Sequence, residues 1–302
     1  MGKLCRVLNA SISYAQQYRR SDGVRGLFSL TNRLTGSKVV VVPFTRSSLF
    51  NPWSVRGRWV GSHPAWGSRI LHWRDTLREY RPPLSVSVAD DWGKVHSLTV
   101  YNFEAAVACG VAEHHIRMKY GARSTLSQSE AVVLRALPTQ RMLNVGIERH
   151  SNAGVHFWSY SRYELHCCME QISRGLCDAM LETSSGDSYR LFVASEGIIH
   201  EIVLAALYTV RSRTLWLPVF GGQRSIVTPL ISPVIDMFNH AAKGSANCIA
   251  SVNLQHNTVV VEATRTIRRG EEMTLRYAVN PSLPPDEVAA DFECRYQLPL
   301  SQ

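Results

Sequence analysis

Two short phrases near the end of the chain, Ser232-Pro-Val-Ile-Asp-Met-Phe-Asn-His240 and Gly270-Glu-Glu-Met-Thr-Leu-Arg-Tyr277, decide how this sequence is interpreted. Their last residues are 37 positions apart. An Asn-His pair alone is common in loops and helix caps, where short polar side chains bond to the backbone. A Gly-Glu-Glu turn before a strand is equally unspecific. The two phrases in this order are not common, so the pair points to one kind of fold and site.

Two upstream segments extend the pattern. The segment Ala206-Leu-Tyr-Thr-Val-Arg-Ser-Arg213-Thr-Leu215 looks like a helix that ends in Ser-Arg. Farther upstream, Asp22-Gly-Val-Arg-Gly-Leu-Phe28 is followed by Gly36-Ser-Lys-Val-Val-Val-Val-Pro43. Together the four segments resemble SET-domain lysine methyltransferases, in the branch typified by the Rubisco large-subunit methyltransferase. The resemblance brackets residues 22 to about 295, with a poorly matching middle.

The resemblance implies an α+β SET fold, in which small β-sheets surround a knot-like turn at Asn239-His240 and a mostly helical insertion forms one wall. The expected parts are a basic N-terminal segment (1–21), a first SET part (22–101), the insertion (102–211) and a second SET part (212–302). The implied function is S-adenosylmethionine-dependent methylation of a lysine side chain in a protein. Members of this branch normally continue into a helical substrate-binding domain. We expect that domain to be missing here, so the resemblance does not identify the protein substrate of this chain.

The same resemblance implies a cofactor site. Asn239 and His240 would lie beside the adenine and the amino-acid end of the cofactor, with Asp236 supporting their turn. Arg213 would pair with the cofactor carboxylate, for which a planar guanidinium suits better than an ammonium group; the alternative is a structural arginine at a helix end. At Arg25-Gly26-Leu27, the glycine would let the backbone approach the cofactor closely. A surface loop is the alternative for these residues. The implied cofactor-binding residues are Arg25, Gly26, Leu27, Arg213, Asp236, Asn239, His240 and Tyr277.

Tyr277 is the implied catalytic residue. The resemblance puts its phenol where the lysine nitrogen meets the methyl group, so that the phenol orients the nitrogen. The alternative is a strand tyrosine in a core. The family usually has Gly after this Tyr, whereas this chain has Ala278, which would narrow the channel. Glu271 and Glu272 are interpreted as turn residues and not as an acid/base pair.

Composition limits the alternatives. A chain of 302 residues with 45% hydrophobic residues can bury a substantial core. Its seven cysteines are odd in number and scattered without C-x-x-C, which indicates a reducing compartment and no structural metal. The doublets His114-His115 and Cys167-Cys168 lack a third spaced ligand.

Positive charge is concentrated in the first third. Residues 1–100 hold 15 Lys+Arg and 5 Asp+Glu, whereas the remainder holds 18 and 19. Trp53, Trp59, Trp66 and Trp73 alternate there with Arg56, Arg58, Arg69 and Arg74. Such a mixture offers contacts for phosphates and bases, or else a set of tryptophans packed under an irregular loop. It motivates an alternative function, a non-catalytic SET-fold subunit or assembly factor of a ribonucleoprotein such as a mitochondrial ribosome.

The N-terminal 21 residues contain Lys3, Arg6, Arg19 and Arg20 and no acid. They are compatible with a mitochondrial targeting segment, and equally with a short basic tail in a cytoplasmic or nuclear protein. The longest apolar stretch, 197–210, is too short to span a bilayer and predicts a buried amphipathic helix.

Periodicity predicts the main elements. Strands are expected at 38–42, 95–101, 189–194, 257–263 and 273–277, with a hairpin turn at 254–257. Helices are expected at 103–118, 163–181 and about 198–210, and a last short helix after Pro284-Pro285.

Overall fold

The computed structural model describes residues 11–12, 15–19, 25–43, 84–89, 93, 95–122, 161–183, 186–220, 226–232, 234–242, 244–278 and 285–296. They form two compact units. The first comprises the described residues up to 43 and those from 213 to 278, and the second those from 84 to 212 and from 285 to 296. The tryptophan and arginine stretch at 53–74 lies outside the described residues, as do residues 1–10.

Strands and helices are numbered in chain order. The strands are β1 (Ser11–Ile12), β2 (Ala15–Arg19), β3 (Arg25–Ser29), β4 (Lys38–Pro43), β5 (Leu84–Ala89), β6 (Val95–Val100), β7 (Leu215–Phe220), β8 (Ile226–Leu230), β9 (Asn239–His240), β10 (Cys248–Asn253), β11 (Thr258–Ala263) and β12 (Glu272–Leu275). The helices are α1 (Asn102–Lys119), α2 (Ser161–Thr183), α3 (Gly186–Ala194), α4 (Glu196–Arg213) and α5 (Pro285–Tyr296), with a 3₁₀ turn at Ile235–Met237.

The first unit is built on a ten-stranded sheet. Its main path runs β1-β4-β11-β10-β12-β3-β2, with β7 and β8 joined through β10 and β9 joined through β12. Valines face one another across β4 and β11, where Val42 pairs with Val259 and Val40 with Val261. All four are fully buried. β-branched side chains pack well on such a pleated surface, so these pairs form one side of the core.

The strand β12 brings the two decisive phrases together. It runs parallel to β9, with Thr274 opposite Asn239 and Leu275 opposite His240. Its other neighbours are β10, through Leu275, and β3, through Glu272 and Met273. The Asn-His turn and the segment leading to Tyr277 are therefore adjacent, although they are far apart in sequence.

Most predicted elements are confirmed, and the mixed α+β class with them. The strands expected at 38–42, 95–101 and 257–263 are β4, β6 and β11, and the hairpin turn contains Asn257 at a φ of 48°. The strand expected at 273–277 is β12, which ends at Leu275, so Tyr277 lies beyond it. The strands that were not predicted are β1, β2, β3, β5, β7, β8 and β9.

The strand predicted at 189–194 is wrong, because this segment lies in helix α3. Its side chains bury at a helical spacing. Phe192 is buried, whereas Tyr189 and Val193, four residues apart, are exposed. A short run of aromatic and branched residues cannot by itself separate strand from helix, and packing decided the outcome.

The second unit contains the β5–β6 hairpin and the helices α1, α2, α3 and α5, together with α4 up to residue 212. The predicted helices at 103–118, 163–181 and 198–210 are confirmed as α1, α2 and α4, and α5 begins at Pro285. Proline suits that first position because its missing N–H would have no partner there. No helix in the described part of the chain is long and apolar enough to cross a membrane.

A buried charge network holds α5 in the second unit. Arg211 donates to one oxygen of Asp291 at 2.7 Å, and Arg295 donates to the other at 3.2 Å. Arg295 also pairs with Glu104 of α1, which is fully buried. Every charge in the network faces an opposite one. Buried ion pairs of this kind make the removal of a single partner costly.

We therefore expect Glu104→Gln to lower the free energy of unfolding by about 3 kcal/mol, because it leaves the Arg295 charge less compensated in the interior. Urea denaturation measures the change. Glu201→Gln on the exposed side of α4 is the matched control and should change stability by less than about 0.5 kcal/mol. Equal stability of the two variants would contradict the structural role of the network.

Candidate functional site

Tyr277 is fixed at both ends by residues of the Asn-His phrase. Its backbone N–H donates to Nδ1 of His240 at 3.1 Å, and its hydroxyl donates to the carbonyl oxygen of Phe238 at 2.6 Å. The Tyr277 and His240 rings lie 5.3 Å apart. The position of the phenol therefore depends on the Asn-His phrase, which is held beside β12 by the β9–β12 pairing.

Burial keeps both rings neutral. It raises the pKa of the Tyr277 phenol to about 12, with the Arg213 charge acting to lower this pKa and the Asp236 charge acting to raise it. The pKa of His240 is lowered by burial and by Arg276. Because His240 Nδ1 accepts a backbone N–H, the neutral ring carries its proton on Nε2. Neither ring supplies a charge to the site near neutral pH.

Arg213 ends helix α4 and faces the 3₁₀ turn of the same unit. Its Nη1 donates to the backbone carbonyl of Asp236 at 2.8 Å. Its Nε is buried and has no hydrogen-bond partner among the described residues. The guanidinium thus keeps donor capacity toward the interior of the site.

Asp236 is held by its backbone, not by its carboxyl group. Its N–H donates to the Ser232 carbonyl at 2.9 Å. Its side chain is buried, and Oδ1 has no partner in the described part of the chain. Burial raises the pKa of this carboxyl to about 6, although the Arg213 charge acts in the opposite direction. A buried carboxyl with an unbonded oxygen is costly unless something binds it.

Glu272 lies between Gly26 of β3 and Asn239 of the Asn-His turn. Its Oε1 accepts a hydrogen bond from Nδ2 of Asn239 at 2.7 Å. A Cβ added to Gly26 would lie 2.2 Å from that oxygen. A side chain at position 26 would therefore displace the Glu272 carboxylate from its present place.

The other glutamate of the phrase is a turn residue, as predicted. The Glu271 carboxylate accepts the Arg268 N–H at 2.8 Å and pairs with Arg265 at 2.7 Å.

Asn247 is a structural residue of the site that was not predicted. It is buried and binds the β12 backbone from both sides of its amide, through the Glu272 carbonyl at 2.7 Å and the Thr274 N–H at 2.8 Å. No sequence pattern distinguishes this asparagine from others in loops.

The structure groups most of the predicted site residues. Within the first unit, Arg213 contacts Asp236, Gly26 and Asn239 lie against Glu272, and His240 contacts Tyr277, and the chain segment 236–240 joins the three groups. Two residues differ. Leu27 has a fully buried side chain, so only its backbone could face a ligand. Arg25 pairs with Arg19 through the β2–β3 ladder, and its side chain lies outside the described part of the structure.

A cavity of about 290 Å³ adjoins Tyr277 in the first unit. Its walls are mostly apolar and include Leu215 and Leu217 of β7, Ala250 of β10 and Leu275. Ala278 also lines it, so the residue that departs from the family pattern takes space at this wall. An apolar cleft beside a phenol could take the aliphatic stem of a long side chain.

A family model for the SET domain matches residues 25–278, most of the chain of 302 residues. The chain belongs to the SET-domain family. The predicted SET fold is thereby confirmed. SET domains are in general protein lysine methyltransferases that use S-adenosylmethionine. No curated protein matches this SET-domain protein.

The site residues fit the amino-acid end of that cofactor. S-adenosylmethionine carries a carboxylate, an ammonium group and a sulfonium. Its site therefore needs hydrogen-bond donors for the carboxylate and acceptors for the ammonium group. The unbonded Nε of Arg213 is a donor for that carboxylate. In the described part of the SET domain, no three His, Cys, Asp or Glu side chains are grouped to hold a metal ion.

The contact between Gly26 and Glu272 gives a direct test of this geometry. Gly26→Ala should displace the Glu272 carboxylate and break its bond with Asn239, which we expect to lower the free energy of unfolding by about 1–3 kcal/mol. Urea denaturation of the intact chain measures the change.

Gly175→Ala within α2 is the matched control, because an added Cβ there meets no described atom within 4 Å. It should stabilise the protein by about 0.5–1 kcal/mol, since alanine favours a helix interior. If both alanine variants stabilised the protein, the close contact at Gly26 would be wrong.

Proposed function

We propose that this SET-domain protein is a protein lysine N-methyltransferase of the Rubisco large-subunit methyltransferase-like branch, and that it binds S-adenosylmethionine. The observation that carries the proposal is the fixed phenol of Tyr277. It donates to the Phe238 carbonyl and lies close enough to Arg213 and Asp236 for both charges to influence its pKa. A neutral phenol, a cation and an unpaired carboxyl around one point are suited to binding an amine beside a charged cofactor.

When bound, S-adenosylmethionine supplies an electrophilic methyl group on a sulfonium. The protein supplies position. Arg213 would hold the carboxylate of the cofactor through its free Nε. Gly26, Asn239 and His240 would form the neighbouring wall, where the absence of a Cβ at Gly26 keeps the backbone close. Tight, preorganised contacts of this kind require no rearrangement during the reaction.

Tyr277 would orient the lysine nitrogen. Because its hydroxyl hydrogen is committed to the Phe238 carbonyl, the oxygen lone pairs remain available to accept a hydrogen bond from the amine. With a pKa of about 12 the phenol stays protonated, so it directs the amine without removing its proton. The apolar cavity beside Tyr277 would surround the lysine stem.

The branch assignment rests on Ser212-Arg213, which ends helix α4, and on the spacing of the Asn-His and Gly-Glu-Glu phrases. The alternative of a ribonucleoprotein subunit rests on the tryptophan and arginine stretch outside the described residues. No observation on the described part of the chain favours it. RNA contact through the basic first third and a mitochondrial location stay predictions from the sequence.

Cofactor binding tests the proposal first. Arg213→Ala should weaken S-adenosylmethionine binding by about 1.5–3 kcal/mol, tenfold or more, because a charge-assisted contact is lost. Arg213→Lys keeps the charge but not the planar guanidinium, so its affinity for S-adenosylmethionine should lie between those of Arg213→Ala and the parent. Isothermal calorimetry measures both. Arg190→Ala on an exposed position of α3 is the control. Equal affinities for all four proteins would remove Arg213 from the site.

Tyr277→Phe tests the catalytic assignment. It removes only the hydroxyl, so methyl transfer should fall by about two orders of magnitude or more, while cofactor affinity stays near that of the parent. Transfer of labelled methyl groups to proteins of cells lacking this protein gives the rate. Tyr189→Phe changes an exposed tyrosine and should leave the rate unchanged. A Tyr277→Phe protein as active as the parent would refute the role of the phenol.

A further inference from the structure

Three buried polar atoms around the 3₁₀ turn lack hydrogen-bond partners among the described residues. They are Oγ of Ser232, Oδ1 of Asp236 and Nε of Arg213. The Ser232 side chain is fully buried, and Asp236 is 6% exposed. Buried polar side chains are nearly always bonded, so such a group in one turn indicates the place of a polar ligand.

Asp236 is the acid among these three residues, so its carboxylate is the group that would bind a cation. Asp236 lies near Arg213, which donates to its backbone carbonyl, and near Tyr277, whose hydroxyl donates to the carbonyl of Phe238 two residues further along the chain. Arg213 directs Nη1 to the backbone carbonyl of Asp236 and makes no ion pair with its carboxyl group. Strand β3 packs against the same turn, and its described side chains, residues 26–29, include no ionisable group.

We propose that the Asp236 carboxylate accepts the proton of the substrate lysine ammonium group, with Oδ1 as the receiving atom. The inference rests on the proposed function, since it assumes that the lysine nitrogen is brought to Tyr277. It assigns to Asp236 a role beyond support of the turn, namely to produce the neutral amine that methyl transfer requires.

The proton transfer balances without a further reactant. The ammonium N–H bond breaks and its electron pair stays on nitrogen as the lone pair. An O–H bond forms at Oδ1, so a cation and an anion become two neutral groups. Neutral groups are favoured in a buried site. A free lysine has a pKa of about 10.4, but desolvation and the nearby Arg213 cation both lower the pKa of a bound lysine toward that of the carboxyl.

The other groups of the site are already committed. The Tyr277 phenol is protonated and donates to a carbonyl. His240 Nδ1 accepts the Tyr277 N–H, and Glu272 Oε1 accepts the Asn239 amide. Among the described side chains of this site, Asp236 therefore has the acceptor oxygen that remains for an ammonium group.

Binding of n-butylamine, a mimic of the lysine side chain, tests the inference without cofactor or turnover. It is cationic between pH 5 and pH 8, whereas n-butanol is neutral and serves as the control ligand. Heteronuclear NMR titration of the intact protein would follow both. The parent should bind n-butylamine at least tenfold more tightly at pH 8, where Asp236 is ionised, than at pH 5. Its affinity for n-butanol should not change.

Asp236→Asn should bind n-butylamine at pH 8 as weakly as the parent does at pH 5, and Glu201→Gln should behave like the parent. His240 also gains charge at acidic pH, so pH dependence that persists in Asp236→Asn belongs to that ring. Equal n-butylamine affinities of parent and Asp236→Asn at pH 8 would overturn the inference.

A second measurement covers the case in which Asp236→Asn does not fold. In the parent labelled with ¹³C at its aspartate carboxyl groups, n-butylamine should raise the titration midpoint of the Asp236 carboxyl signal, assigned through its own Cβ and backbone resonances, because this carboxyl group holds the proton of the amine in the complex. An unchanged or lowered midpoint overturns the inference. Calorimetry with S-adenosylmethionine separates the two proposals, since a parent that binds the cofactor but shows no amine effect loses only the role of Asp236. A parent that does not bind the cofactor loses the proposed function.

Discussion

The parallel pairing of β9 with β12 is the constraint on which the site depends. Two residues of each strand are paired, with Asn239 opposite Thr274 and His240 opposite Leu275. Such a short ladder contributes little by itself. It is supported by Asn247, which binds the β12 backbone at two points, and by the bond between Asn239 and Glu272. Side-chain amides and a carboxylate thus replace the backbone hydrogen bonds that a longer ladder would provide.

From this junction the geometry of Tyr277 follows. The strand ends at Leu275, and the next residues are directed by the first phrase, through the His240 ring and the Phe238 carbonyl. A tyrosine whose backbone N–H and hydroxyl each donate to a fixed acceptor has little freedom, which is what an orienting residue requires. The same junction brings β3 alongside β12 and sets Gly26 against the Glu272 carboxylate.

Buried charges in the two units are treated in opposite ways. In the second unit, Arg211, Asp291, Arg295 and Glu104 are joined in ion pairs, which fits a structural role. In the first unit, the buried Asp236 carboxyl has no such pair among the described residues, and burial raises its pKa to about 6. An unpaired buried carboxyl lowers stability. Its presence next to Tyr277 is more consistent with binding than with folding.

The sequence by itself determined the family, the α+β class, the three long helices and the residues that would form the site. It could do so because helical periodicity and the two phrases are local patterns. It mistook residues 189–194 for a strand and did not predict β7 or β8, since short apolar runs take their conformation from their neighbours. It also treated Glu272 as a turn residue. Only the tertiary structure decided that this carboxylate bonds Asn239 and lies against Gly26, that Asn247 supports β12, and that Oδ1 of Asp236 is buried without a hydrogen-bond partner among the described residues. These properties arise between residues 20 to 250 positions apart, and burial, hydrogen bonding and pKa are set by the three-dimensional surroundings of a group, which no local pattern encodes.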